Sequence, residues 1–286
     1  EMCIRDRNYS ARFTLADSRT KITRYSNPSG LIDGFYAGKY VGEIWGYETI
    51  GIAQSDQEMA EHIGRLINGG QSNLGQDWKA GDIMYKDLNE DGKIDAGSHT
   101  LQDHGDLKRI GNSTPRYNVG LELAADWKGF DIRMFWQGTL KRDYFQGSYY
   151  FWGANGRQGP WFSTALKGHD DYFRNDEASP LGTNLNSYYP RPLFNTDKNQ
   201  QSQTKYLQDA SYLRLKNLQI GYSLPHNIVQ KMGMQHLRIF ASGENLFTIT
   251  SLIDFFDPES IEGGSWGHGN VYPLSRTFSF GLNVTF

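Results

Sequence analysis

The stretch Arg116–Gly138, "RYNVGLELAADWKGFDIRMFWQG", decides the fold. In its first half Tyr117, Val119, Leu121, Leu123 and Ala125 alternate with Asn118, Gly120, Glu122, Ala124 and Asp126. In its second half Phe130, Ile132, Met134 and Trp136 alternate with Asp131, Arg133, Phe135 and Gln137. A period of two marks extended strands with one apolar and one polar face. Lys128-Gly129 between the runs predicts a tight hairpin turn, and the charges of the polar face are placed to pair across strands. Trp127 and Trp136 stand towards opposite ends, as an aromatic belt at two membrane interfaces places them. The final stretch, "RTFSFGLNVTF", repeats the pattern, with Phe278, Phe280, Leu282, Val284 and Phe286 on one face and Thr277, Ser279, Gly281, Asn283 and Thr285 on the other.

Working outward, the same alternation predicts strands near 10–24, 36–52, 211–223 and 236–249, roughly seven in all and antiparallel. Lys128-Gly129 and "LPHNIVQKMGMQ" (224–235) connect them compactly, whereas 53–114, 140–210 and 250–275 are long and rich in Gly, Asn, Asp, Tyr and Trp. Alternating short and long connections is the habit of outer-membrane barrels, with short periplasmic turns and long extracellular loops. About seven strands cannot close around water, and open edges in lipid leave unpaired amides at several kcal/mol each. The expectation is therefore an all-β protein, the C-terminal strands of a larger antiparallel transmembrane β-barrel, occupying 1–286.

Composition agrees. The 286 residues carry a net charge of −3 and no Lys/Arg run, so nothing points to nucleic acid. Cys3 is the single cysteine, which excludes an intrachain disulfide and a thiolate metal cluster. No run of about 18 apolar residues suggests a membrane helix. "EMCIRDRNYS" opens without an apolar signal core, and residues 1–7 read as foreign to the protein.

"KDLNEDGKIDAGS" (86–98) has the spacing of a calcium loop. Asp87, Asn89 and Asp91 take the first three oxygen positions, Gly92 the sharp turn, Lys93 a backbone carbonyl, and Asp95 a further oxygen. Ser98 stands where a bidentate carboxylate belongs, a place that Asp103 or Asp106 could fill by folding back. No flanking helices are visible, so an EF-hand is not expected. Ca²⁺ would serve as a structural brace, and the alternative is an ion-free turn rich in Asx residues.

"YVGEIWGYETIGI", "AGDIMYKDLNEDGKID", "IGNSTPRYNVGLEL", "WKGFDIRMFWQG", "YLRLKNLQIGYSLP", "LRIFASGENLFTIT", "DFFDPE" and "YPLSRTFSFGLNVTF" occur in this order along nearly the whole chain. Together they resemble the SusC/RagA family of TonB-linked outer-membrane proteins. The resemblance implies the outer membrane of a Gram-negative bacterium, import of glycans or peptides, and a SusD-like lipoprotein partner. It also implies contact with the TonB complex through an N-terminal part that this sequence lacks. Phe280, Leu282, Val284 and Phe286 would then carry the barrel-assembly signal as well as touching lipid. With 36–52 running outward and 115–127 inward, the calcium loop is expected outside the cell.

The segment 145–163 gathers Tyr149, Tyr150, Phe151, Trp152, Trp161 and Phe162, with Asn155 and Arg157 among them. Such rings can stack on cargo or pack the loop against barrel and partner. Asp257 and Glu259 have the look of a hydrolase pair, but no second feature supports catalysis and no enzyme is expected. Glu244 is expected to face the lumen and pair with Arg238 or a neighbouring strand. His99, His104 and His268 have no metal-ligand spacing. The rival architecture is a secreted, calcium-stiffened β-sandwich that binds carbohydrate through its aromatic loop.

Overall fold

A computed structural model describes residues 7–154, 163, 165–262 and 271–286. In chain order the strands are β1 (Arg7–Ala16), β2 (Glu43–Gly46), β3 (Thr49–Ile52), β4 (Ile83–Tyr85), β5 (Lys108–Asn112) and β6 (Arg116–Trp127). They continue as β7 (Phe130–Lys141), β8 (Asp143–Phe145), β9 (Leu207–Asp209), β10 (Tyr212–Ser223), β11 (His236–Thr250) and β12 (Thr277–Thr285). The α-helices are α1 (Asp56–Arg65), α2 (Tyr149–Trp152) and α3 (His226–Val229). None is long and apolar enough to cross a membrane.

Six strands form one antiparallel sheet in the order β1-β6-β7-β10-β11-β12. The sheet is open, with β1 and β12 at its edges. The central hairpin turns through Lys128 (φ 48°) and Gly129 (φ 87°), the two left-handed residues a type I′ turn demands. Register then sorts the side chains. Tyr9, Phe13 and Leu15 line up with Val119, Leu121 and Ala125, then with Ile132, Met134 and Trp136. The same face continues through Leu215, Leu218 and Ile220 to Ile239 and Phe247, and ends on Phe278, Phe280, Leu282 and Val284. Phe280 is 84% exposed and Phe286 82%, so this apolar face has no partner within the described residues. A sandwich would need a second sheet about 10 Å above it, and the remaining sheets are two-stranded pairs elsewhere.

The expected strand 36–52 is corrected. Gly42 (φ 86°) and the register shifts at Ile44/Trp45 and Thr49/Gly51 divide it into β2 and β3. These pair with β5 and β4, not with the long strands. The large sheet thus has six strands, and β1 pairs directly with β6. Connections now alternate without exception: 17–115, 142–211 and 251–276 are long and lie at one end, 128–129 and 224–235 short at the other.

The hydrophobic core lies in the long connections, not on the sheet. Ile32, Tyr47, Ile83, Tyr85 and Ile94 come from the first, Phe151, Tyr189 and Tyr206 from the second, and Leu252, Phe256 and Ile261 from the third. The three segments thereby fold into one packed cap. Arg142 knots them with polar bonds, donating to Ser113 O (3.1 Å) and Pro258 O (3.3 Å) and pairing with Glu262 (2.5 Å). Helix α1, absent from the reading above, starts on Ser55, whose Oγ accepts from Glu58 N at 3.1 Å. It buries Met59 against Ala53 and Met84.

Candidate functional site

The face opposite the apolar one is polar and continuous. Arg12 pairs with Glu122 (3.9 Å) across β1 and β6, and Thr139 Oγ1 donates to Asn118 Oδ1 (2.9 Å) across β6 and β7. Arg238 on β11 reaches over β10 to Asp131 on β7, with contacts of 2.5 and 2.8 Å. It passes over Gly221, where any Cβ would collide with both groups. This corrects the expected Glu244–Arg238 pair: Glu244 lies on the same face, exposed, opposite Thr277.

The third connection folds back onto this face. Arg214, almost fully buried, donates to Glu259 Oε2 (2.6 Å), Asp257 Oδ2 (2.7 Å) and Thr248 Oγ1 (2.8 Å). Lys216 adds a bond to Glu259 at 3.1 Å, and the Tyr212 hydroxyl another at 3.2 Å. Asp257 and Glu259, which have the look of a hydrolase pair, form a clamp instead: each carboxylate is held by the Arg214 guanidinium. Arg214 has no local sequence signal, because its carboxylate partners lie over 40 residues away.

Among the described residues no three His, Cys, Asp or Glu side chains are gathered as a metal site, and Asp87, Asn89, Asp91 and Asp95 follow one another along one loop. Their side-chain oxygens accept backbone N–H groups ahead of them: Asp87 Oδ2 from Gly92 (2.8 Å), Asn89 Oδ1 from Asp91 (3.2 Å), Asp91 Oδ1 from Lys93 (3.1 Å) and Asp95 Oδ1 from Gly97 (2.8 Å). Asp106 folds back, its carboxylate taking Leu88 N (2.7 Å) and Asp95 N (2.9 Å), while Asp103 takes Ser98 N (2.9 Å) and Ser98 Oγ (2.5 Å). Ile94 is fully buried and anchors the loop to Gly70 through a 2.8 Å bond. Burial pushes the Asp106 carboxyl above its ordinary value. Asp87 Oδ1 is buried with no hydrogen-bond partner. The set is made of hard oxygens, which suits Ca²⁺. A charge already sits there, however: the Lys93 ammonium is 2.6 Å from Asp95 and 3.8 Å from Asp91. His99 pairs with Asp33 (2.9 Å) and His104 lies tilted against Trp45 at 5.4 Å between centroids, both outside the oxygen set.

The aromatic segment is divided. Phe151 is fully buried and Trp152 nearly so, each ring set edge-on against Tyr189 and Tyr206. Trp152 therefore belongs to the core of the cap. Tyr150 is half-buried and packs against the same cluster. The Tyr149 side chain and Trp161, together with Asn155, Arg157, Phe162 and His268, lie outside the described residues. Phe280, Leu282 and Val284 lie together on the apolar face of β12, and Phe286 directly follows them.

Two buried polar centres hold the cap. Asp82, fully buried, accepts from Arg191 Nε and Nη2 (both 2.7 Å), Asn199 Nδ2 (2.8 Å) and Lys79 N (2.9 Å), and pairs with Lys198 at 2.9 Å. Burial alone would raise its pKa; the bonds from Arg191, Asn199 and Lys198 prevail and hold it below the ordinary carboxylate range. His169 Nδ1 accepts from Leu166 N (2.9 Å), and its Nε2 faces the carbonyls of Tyr150 (3.0 Å) and Phe151 (3.1 Å). Burial keeps its pKa low, in favour of the neutral ring these bonds require.

No protein-family model matches the chain. TonB-dependent receptor P3 of Formosa agariphila is 30% identical over 258 residues, which make up 87% of this chain and 22% of that protein. TonB-dependent receptor P26 of the same organism is 26% identical over 225 residues, 72% of this chain and 20% of that one. The chain thus spans between a fifth and a quarter of the length of these relatives. Among solved structures, that of the RagAB peptide transporter matches all of this chain and 28% of its own, with TM-score 0.65 at 21% identity. The RagAB peptide importer in its closed-closed state matches with TM-score 0.59 at 20% identity. At such identity the likeness is one of fold, and it covers sheet and cap alike. Residue motifs, curated relatives and fold agree that the chain is similar to a segment of TonB-dependent receptors of the SusC/RagA kind.

Proposed function

We propose that this chain supplies wall strands and part of the outer cap of an importer in the outer membrane of a Gram-negative bacterium. The apolar face meets lipid and the polar face lines the path of the cargo. The separation of the two faces over six strands carries this reading. The strands are 9 to 15 residues long, against the roughly 9–11 that a tilted transmembrane strand needs. Neighbouring strands from the rest of the protein would pair with β1 and β12 to close the barrel, and TonB would act on that remaining part.

The cap faces outward in this reading and offers the surface on which a SusD-like lipoprotein sits. Peptide transport by the RagAB protein makes peptide the first cargo to test and glycan the second. Phe280, Leu282, Val284 and Phe286 serve both as lipid contact and as the signal for barrel assembly. The loop from Asp87 to Asp95 takes Ca²⁺ as a brace, through Asp87, Asn89, Asp91, Asp95 and the Lys93 carbonyl. The orphaned Asp87 Oδ1 supports this, and the Lys93 ammonium, 38% exposed, would swing out to solvent.

The test places one arginine on each face of β12 in the full-length receptor. Phe280→Arg should lower folding stability in lipid vesicles by about 2–4 kcal/mol, the cost of a guanidinium near the bilayer midplane. Ser279→Arg should be tolerated. Equal costs for the two would sink the assignment of faces.

A further inference from the structure

A cavity of about 650 Å³ opens where the polar face meets the cap, and its walls are cationic. Arg19, Arg109, Arg116 and Lys141 line it. Two carboxylates, Glu43 and Asp143, share the lining and Asp17 is paired with Arg116 beside them, and each is already engaged. Asp17 grips Arg116 in a two-pronged pair, one contact at 2.6 Å. Glu43 accepts from the Tyr36 hydroxyl (2.6 Å) and Tyr40 N (3.0 Å), and Arg109 reaches it only at 3.5 Å. Asp143 Oδ2 accepts from Asn112 N at 2.9 Å. Among the described residues no carboxylate pairs with Arg19 or Lys141.

Three further observations mark the place. Arg116 and Lys141 are direct partners in the β6–β7 register, a like-charge juxtaposition that weakens a sheet; Asp17 answers Arg116 and leaves Lys141 without a counter-charge among the described residues. Tyr117, which also lines the cavity, holds φ at 55°, a left-handed backbone that an aromatic residue adopts only at a cost. Arg19 lies flat on the Tyr40 ring, its guanidinium carbon 3.4 Å from the centroid, so its fork is held in place before any ligand arrives.

We propose that this cavity is a subsite for an oxyanion on the cargo, a carboxylate or a sulfate ester, held by Arg19, Arg109 and Lys141. The inference rests on the polar face being the import path. It adds that cargo is sorted by charge at the entrance to that path.

The test is calorimetric titration of the detergent-solubilised full-length receptor with N-acetyl-triglutamate amide and N-acetyl-trialanine amide. A sulfated disaccharide and its desulfated form make a second pair. The charged member of at least one pair should bind about tenfold tighter than its neutral analogue, with an affinity that falls as salt is added. The pair that shows the difference identifies the oxyanion. Arg19→Gln/Lys141→Gln should remove about tenfold, the worth of two partly exposed charge contacts, and leave the neutral probes unaffected. The Lys141 side chain makes no hydrogen bond or ion pair among the described residues, so Lys141→Gln alone keeps the test open if the double variant folds poorly. Equal affinity for charged and neutral probes in both pairs, or an unchanged affinity in the variants, overturns the subsite. Binding in micelles needs neither TonB nor a membrane, so this failure is distinct from failure of the arginine pair on β12.

Discussion

Asp82→Asn is the most exacting test of the cap. The substitution keeps the shape of the side chain but removes a fully buried negative charge facing two cations, Arg191 and Lys198. Lys198 is itself 1% exposed and keeps only the carbonyls of Gln76 (2.8 Å) and Asp77 (2.9 Å) as other acceptors. The new amide would also turn an N–H₂ group towards groups that can only donate. Breaking a buried ion pair from one side costs about 3–5 kcal/mol. Such a loss speeds amide exchange by local opening on the order of 10²–10³-fold. The assay is hydrogen exchange by mass spectrometry on the full-length receptor, reading peptides that cover 79–85 and 187–200. Peptides from β6 and β7 should be unchanged, since the sheet is held by its own ladder and the cap by its own core. Acceleration below about tenfold in the cap peptides would refute the view that this centre joins the first two connections. Acidification offers a second reading of the same centre. Because the folded state lowers the pKa of Asp82, its contribution is present above the unfolded value and is lost as pH falls through that range.

His169 predicts a milder pH response. Its lowered pKa makes the cap lose stability as pH falls through about 6.5, where the unfolded ring gains a proton that the folded ring refuses; a protection of the Leu166–Asp170 peptide, relative to intrinsic exchange, that does not change with pH would contradict this, and His169→Gln should abolish the change. Calcium titration of the full-length receptor should show a site of about 10⁻⁴–10⁻³ M, lost in Asp87→Asn and strengthened in Lys93→Gln. Absence of binding by both wild type and Lys93→Gln would leave the loop braced by its side-chain-to-backbone bonds alone. Gly221→Ala should cost about 1–3 kcal/mol by overpacking, and the added loss should shrink when Arg238→Ala clears the space above it; full cost in the double variant would show that the glycine serves another purpose.

What could be read from the chain in advance follows from the range of each signal. Strict alternation places β6, β7, β10, β11 and β12 within a few residues of their observed limits, because a buried or lipid-facing strand repeats every two residues without outside help. "YVGEIWGYETIGI" alternates too, but Gly42, Gly46 and Gly51 interrupt it, and the interruptions outweigh the pattern: two short strands form in the cap. Helix α1 had a legible start in Ser55 and Glu58, with Met59 and Ile63 four residues apart, yet ten residues are too few to stand out from a Gly-rich loop. Burial in the cap was not legible at all. Trp152 and Tyr206 carry no period, and whether such a ring faces cargo or core depends on chain tens of residues away. The same holds for Asp82 with Arg191 and for Arg214 with Asp257, pairs separated by 109 and 43 positions.

The cap draws its core from three connections, each hung between a different pair of wall strands. None of the three contains enough of that core to close it alone. A hairpin that entered the sheet two residues out of step would keep its apolar face correctly turned, so the face pattern alone would not reject it. Its loop would nevertheless arrive about 7 Å from its place, and Phe151 or Phe256 would miss the pocket made by the other two. The cap thus acts as a proofreader: it closes only over strands that have paired in the one register that brings all three loops to the same point.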